Sequence, residues 1–345
     1  MGSEYFLNVN RSEWEEKQMN NRTKITILAV IFIFFAIVSM GIGRYPISPL
    51  RVVQTLFGGG NAQESAVVIK IRLPRILAAT LIGAGLALSG QTMQMIFRNP
   101  LVSPDVLGTS TAAGFGASIS LLLGVSTAAV TINAFLFGIA SVILVWTLST
   151  RVRGEQTMGL ILIGMVVSSL FSAGTSFIKL IADPNNILPA ITYFLMGSLA
   201  GCNFQDLQVI AIPMVISFAI LLLVSWKLNI LSLSEDEARS LGVNTKRLRA
   251  VAIGASALMT ASAVAVSGQI GWIGLIIPHI ARKIVGSNAT YSIPASMFIG
   301  ASFLIAVDNV SRTVTTAEIP IGILTAFIGA PFFLYLILKE HRHEA

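Results

Sequence analysis

Ten apolar runs take up more than half of this 345-residue chain, and most are close to the length of a bilayer crossing. A spanning helix needs about 20 mostly apolar residues. Inside lipid the backbone must satisfy its own hydrogen bonds, which helices do within one segment. The runs cover residues 25–42, 76–97, 106–123, 128–150, 158–181, 207–228, 250–266, 273–285, 293–307 and 321–338. They predict an all-α, polytopic membrane protein of about ten transmembrane helices. The eighth and ninth runs are short and read as tilted, broken or packed inside the bundle. The chain is 54% hydrophobic and 11% charged, with a mean hydropathy of +0.79. A soluble domain is typically about 25% charged. Residues 1–24 read as a polar N-terminal tail, 25–338 as the membrane domain and 339–345 as a second tail. No small-residue cleavage site follows the first run, so it reads as a retained span. A shorter apolar stretch, 187–199, lies between Asp183-Pro184 and Gly201. It is too short to cross and fits an interfacial or re-entrant helix on the outer face.

Charge sets the orientation. With the N-terminus in the cytoplasm, sixteen of the 23 Lys and Arg residues fall on the inner side. Cytoplasmic loops carry such an excess, and ten spans then put both termini inside. The net charge of +7 is topological on this reading. No nucleic-acid motif accompanies it. The lone cysteine, Cys202, has no disulfide partner in the chain, and no Cys/His spacing marks a metal site. His341 and His343 fall in the C-terminal tail.

The halves echo each other. Ala87-Leu88-Ser89-Gly90-Gln91 recurs as Ala265-Val266-Ser267-Gly268-Gln269. A proline follows each glutamine after nine residues, at Pro100 and Pro278. The second span runs inward and the seventh outward, so the repeat is inverted, a common build for transporters.

No phosphate-binding loop of the G-x-x-x-x-G-K-[ST] type exists, so the chain carries no ATPase of that kind. Asp308 and Glu318 read as near the outer end of the last loop and Glu155 as at an inner end, leaving no carboxylate in mid-span. Ion-driven carriers usually need intramembrane ionisable groups. An ion-coupled secondary carrier remains the rival of another class.

Two polar stretches are candidates for partner contacts. Residues 231–249 form the longest internal cytoplasmic loop. Ser234 with Glu237 makes a capping box, and Gly242 a C′ glycine, so a short helix is expected there. It is either an ordinary loop helix or a peg that docks into a cytoplasmic partner. On the other face, Arg72-Leu73-Pro74-Arg75 opens the second span, with Pro74 suited to a first helical turn. Arg312 follows the ninth span on the same side. These arginines are either snorkelling anchors or forks for an acidic partner.

Arg72-Leu73-Pro74-Arg75, together with Asn99-Pro100-Leu101-Val102-Ser103-Pro104-Asp105-Val106-Leu107-Gly108, resembles the FecCD-type permeases. These are the membrane subunits of ABC importers for iron–siderophores, haem and cobalamin. Three further stretches match in order. They are Met196-Gly197-Ser198-Leu199, then Gly271-Trp272-Ile273-Gly274-Leu275-Ile276-Ile277-Pro278-His279-Ile280-Ala281-Arg282, and Glu318-Ile319-Pro320-Ile321-Gly322 with Gly329-Ala330-Pro331. The resemblance covers the chain from the first span onward.

It implies a non-enzymatic transport subunit without cofactor in a bacterial cytoplasmic membrane. Its partners would be a second permease subunit, two ABC ATPase subunits and an extracytoplasmic substrate-binding protein, with no nucleic acid. It also implies that Arg72, Arg75 and Arg312 form salt bridges with glutamates on the two lobes of the binding protein. Glu237, Ala238, Arg239, Leu241 and Gly242 match the coupling helix region that contacts the ATPase. The stretch 187–199, with Met196 and Gly197, matches an outer gating helix. Arg151, Gly154 and Gln156 match a region near the inner gate. One departure stands at Tyr193-Phe194-Leu195, where the family often has Trp before the Met-Gly pair. The implied cargo is an iron–siderophore, with haem or cobalamin as the alternative.

Overall fold

The structure is a computed structural model that describes residues 2–152, 156–232 and 235–341. Side chains are described over 20–152, 157–231 and most of 237–338. Helices lie on all ten expected spans, and no strand occurs among the described residues. We label them α1 (Gly2–Gly41), α2 (Leu73–Ile96), α3 (Thr109–Leu122), α4 (Thr127–Ser149), α5 (Gln156–Ile181), α6 (Phe204–Leu228), α7 (Thr245–Ser267), α8 (Ile273–Val285), α9 (Ala289–Thr313) and α10 (Ile321–His341). Among the described residues, six segments are long and apolar enough to cross a membrane by length and composition: Asn20–Gly41, α4, Thr157–Ile181, Phe204–Leu231, α7 and α9.

Four boundaries differ from the sequence reading. The first helix does not begin at 25: it runs for 40 residues through the polar tail, about 60 Å at 1.5 Å per residue. The ninth is not short, since α9 has 25 residues. Asp308, Asn309 and Arg312 ended the apolar run, but their side chains are buried and mutually bonded, so the helix continues through them. Asp308 therefore lies in a helix and not in a loop. Nor does Pro74 open a helix, because a π-helical stretch, Ala66–Arg72, leads directly into α2. A proline lacks the N–H and crowds the carbonyl four residues back. A wider turn just upstream relieves both. The third run is divided: a 3₁₀ turn, Pro104–Leu107, is followed by Gly108 at φ 71° and then α3.

The two halves match in element lengths. Helices α2 to α5 have 24, 14, 23 and 26 residues. Helices α7 to α10 have 23, 13, 25 and 21. The repeated pentapeptide sits differently in the two halves. Gly90 is inside α2, whereas Gly268, at φ 66°, follows the last residue of α7.

Helix α2 is the axis of the bundle. It is apolar around its circumference and buried along most of its length, packed by α6, α7, α8 and α9. Lipid supplies no hydrophobic force between helices, so small residues that let backbones meet are favoured at crossings. Gly83 faces Gly300 of α9: a Cβ on either would strike the other's carbonyl oxygen. Gly90 meets the backbone of Gly274 in α8 in the same way. Between α2 and α7, Ser89 Oγ donates to the Ser256 carbonyl at 3.1 Å and pairs with Thr260 Oγ1 at 3.0 Å. The outer surface carries large exposed apolar side chains, including Phe34, Leu170, Leu223 and Phe327. That is the surface expected of a bundle in contact with lipid or with other subunits.

Candidate docking and gating sites

The three arginines singled out in the sequence converge at one end of the bundle. Arg72 and Arg75 come from the junction into α2, Arg312 from the last turn of α9. All three are buried, with 4%, 6% and 6% exposure. Their donors are already used within the chain.

Arg75 is the most heavily engaged. Its Nε donates to both oxygens of Asp308 at 2.9 and 3.1 Å. Its Nη1 and Nη2 donate to Glu318 Oε1 and Oε2 at 3.0 and 2.8 Å. Such a fork is among the stronger polar contacts available. Arg72 donates to the carbonyls of Met40 at 2.7 Å and Tyr45 at 2.6 Å. Arg312 donates to the Ser39 carbonyl at 2.7 Å and to Asn309 Oδ1, with its Nε 3.7 Å from Asp308. The cluster thereby ties the end of α1, the start of α2, the end of α9 and the loop 314–320. Three guanidinium groups face two carboxylates, which leaves one positive charge. Glu318 is the most accessible member, its side chain 24% exposed. Hydrogen bonds from Arg75, helped by the pull of Arg75, Arg44 and Arg312, hold its carboxyl below the usual glutamate range against the opposing effect of burial.

Sequence reasoning missed much of what surrounds this cluster. Two helices, Pro49–Leu56 and Ala62–Ser65, lie between α1 and α2. Their signals were present: Ser48 caps a helix with Pro49 at its start, and Asn61 with Glu64 forms a capping box. Exposed Arg51 pairs with Glu64 at 3.3 Å.

At the opposite end of α2 lies the loop 229–244. Helix α2 has 24 residues, so the two ends are about 36 Å apart. A short helix, Glu235–Ser240, occurs where expected. Ser234, the expected cap, lies outside the described residues, as does the side chain of Arg239. The helix closes as the sequence predicts. Gly242 takes φ 73°, and the Val243 N–H reaches back to the Ala238 carbonyl at 3.2 Å. This is the Schellman arrangement. Ala238 is buried, Glu237 is at the surface, and Leu241 stands 60% exposed. The loop is tied to α2: Arg98 Nε donates to the Leu231 carbonyl at 2.8 Å.

The expected outer gate is a backbone knot. The short helix Ile187–Met196 ends at Gly197, φ 75°. The Ile321 N–H donates to the Gly197 carbonyl and the Ser198 N–H to the Ser267 carbonyl, both at 2.8 Å. A Cβ on Gly322 would strike the Met196 carbonyl, and one on Gly197 the Gln269 carbonyl. The short helix is thus joined to the end of α7 and the start of α10. Of the expected inner-gate residues, Arg151 is exposed beyond α4 and Gln156 opens α5. Gly154 and the side chain of Gln156 lie outside the described residues.

Beside the knot is a cavity of about 880 Å³. Met196, Gln269, Trp272, Phe327 and Asp105 are among its lining residues. Trp272 has φ 71°, a conformation uncommon outside glycine. Its side chain packs on Gly329 and meets Phe333 edge-on, with ring centroids 6.3 Å apart. Asp105 accepts from the Ser110 N–H at 2.6 Å at the start of α3. A carboxylate held at a helix N-terminus serves as a cap. Asp105 escaped the survey of carboxylates in the sequence because it precedes an apolar run. No cluster of three or more His, Cys, Asp or Glu able to hold a metal ion occurs among the described residues.

These features define a multi-pass helical membrane protein whose central helix ends in an arginine–carboxylate cluster on one side and beside a short capped loop helix on the other. A family model described as the FecCD transport family matches residues 30–339. The molybdate import system permease protein of Haemophilus influenzae is 43% identical over 320 residues, covering 91% of this chain and 95% of that protein. The Fe(3+)-citrate import system permease protein of Bacillus subtilis is 39% identical over 330 residues, covering 95% and 98%. A solved metal-chelate type ABC transporter in an inward-facing conformation superposes with a TM-score of 0.84 at 42% identity, covering 91% of this chain and 98% of that one. The chain belongs to the FecCD transport family and is the permease component of an ABC importer.

Proposed function

We propose that this permease carries a ferric chelate of the siderophore type. The supporting observation is the lining of the large cavity. It is mostly apolar, includes the carboxylate of Asp105, and has no Lys or Arg among its described lining residues. Pores for oxyanions are lined by Arg or Lys. A bulky, charge-masked chelate needs width and little chemistry. Haem or cobalamin fits the same argument. The second reading is molybdate, favoured by the Haemophilus influenzae relative.

The cluster of Arg72, Arg75 and Arg312 faces outward on this reading. The helix at Glu237, Ala238, Arg239, Leu241 and Gly242 faces the cytoplasm, as do both termini. A binding protein docks by exchange: its acidic side chain takes the place of Glu318 on Arg75. On the other side, exposed Leu241 seats in the ATPase, and ATP binding there moves the coupling helix. Met196 and Gly197 gate the outer mouth, and residues around Arg151, Gly154 and Gln156 the inner one.

The test is uptake into proteoliposomes holding this chain, its second permease subunit, the ATPase and the cognate binding protein. The expected result is ATP-dependent uptake of a radiolabelled ferric siderophore and none of labelled molybdate. Uptake of molybdate alone would overturn the cargo assignment. Uptake by this chain without ATPase or ATP would overturn the importer reading of its mechanism.

A further inference from the structure

A second, smaller cavity of about 470 Å³ lies at the coupling-loop end of the bundle, between the ends of α2 and α8. Its lining includes Gln91, Gln94, Arg98, Asn229, Arg282 and Asn288, and no carboxylate among the described residues. Arg282 is in the last turn of α8. Its Nη1 donates to Gln91 Oε1 at 2.9 Å. Its Nη2 is buried and has no acceptor. No described carboxylate comes within ion-pair distance of this guanidinium. That contrasts with Arg75 at the far end, which two carboxylates neutralise. Buried charges are normally paired.

The rest of the floor is equally specific. Gln94 spends its amide N–H groups on the Gly274 and Leu275 carbonyls, both at 3.3 Å. Its Oε1 is then a buried acceptor without a donor. Arg282 and Gln94 line the same small space, so one unpaired cationic donor and one unpaired acceptor lie just behind its wall. Arg98, held at φ 48° and tied to Leu231, is exposed at the mouth.

We propose that this cavity binds a phosphate-type oxyanion that also carries a hydroxyl. The oxyanion meets Arg282 at the floor and Arg98 at the rim, and the hydroxyl donates to Gln94 Oε1. Guanidinium forks match phosphate oxygens. Two sources share this chemistry, hydrogen phosphate in solution and the headgroup of phosphatidylglycerol. Basic pockets between helix ends at a membrane surface are known to take lipid headgroups. The proposal stands apart from the cargo and docking readings above, since none of its residues belongs to them.

The experiment uses the full chain in detergent. One arm measures the affinity for inorganic phosphate against chloride at matched ionic strength. The other uses native mass spectrometry after exposure to vesicles of phosphatidylglycerol or of phosphatidylcholine. Binding in the first arm assigns a soluble oxyanion. Selective retention of phosphatidylglycerol in the second assigns a headgroup. Whichever ligand binds, Arg282→Gln should weaken it about tenfold or more, the expected size for a charge-assisted contact. Arg98→Gln should weaken it less, and Lys283→Gln, one residue away and exposed, should leave it unchanged. If Arg282→Gln does not fold, Arg282→Lys keeps the charge and loses the fork, and it should still bind more weakly than the parent. The proposal fails if neither ligand binds, or if the Arg282 and Arg98 variants bind as the parent does.

Discussion

Arg75 and Glu318 show how much one side chain decides at the arginine-rich end of the bundle. Arg75 touches two carboxylates, but only Glu318 is partly exposed, whereas Asp308 is 1% exposed. Removing one partner of a buried pair leaves an uncompensated charge and costs about 3–5 kcal/mol. Asp308→Asn should therefore lower thermal stability in detergent sharply, and Glu318→Gln much less. Under the exchange reading, Glu318→Gln should also bind the acidic binding protein more tightly than the parent, because its neutral amide competes less well for Arg75. Weaker or unchanged binding, measured by surface plasmon resonance on the reconstituted complex, would sink the exchange. The pH dependence follows from the lowered carboxyl of Glu318. Its contribution is present above the ordinary glutamate value and is lost as pH falls through the lower folded value. The parent and Glu318→Gln should differ in Tm at neutral pH and begin to converge below about pH 4.3. The arginines were legible in the sequence as a group on one face. Their internal partners were not, because Asp308 is 233 residues from Arg75 and a sequence pattern does not reveal such a pairing.

At the scale of elements, the hydropathy pattern located every long helix and misjudged those that carry charge. Helix α9 looked short because hydropathy counts Asp308 and Arg312 as exposed, whereas each is bonded within the bundle. The proposed coupling helix, Glu235–Ser240, was the converse case. Its apolar content is small, yet local rules found it: Gly242 supplies the left-handed residue that closes it. Among the described residues no atom crowds Gly242, and the cost of Gly242→Ala is conformational, about 1–2 kcal/mol. That variant should leave the bundle's melting temperature nearly unchanged while lowering the ATP-driven uptake rate, because it loosens only the element proposed to meet the ATPase. Uptake at the parental rate would show that this helix does not transmit the stroke. The two short helices between α1 and α2 were hidden for a plain reason. They are capped by Ser48 and Asn61 but are far shorter than a bilayer crossing, so hydropathy does not mark them.

For the whole molecule, opposite placement of the two contact sites is the central expectation. The chain has one cysteine, Cys202, whose thiol is pushed up to about 12 by burial, with Asp206 adding to the effect. Thiolates, not thiols, react, so the native residue should stay silent toward a maleimide at neutral pH. Leu241→Cys should then be labelled by an impermeant maleimide only from the cytoplasmic side, and Arg51→Cys only from the outside. Labelling of both from one side would overturn the assigned orientation.

The glycine crossings of α2 with α8 and α9 carry a consequence for motion. Where two backbones touch, nothing soft lies between them to be squeezed or repacked. Those three helices should keep their mutual positions throughout a transport cycle and act as the stator of the machine. The rotor must then come from what packs on them less closely, namely α5 and α10. Cross-links placed across the stator should leave turnover intact, and cross-links joining it to α10 should stop it.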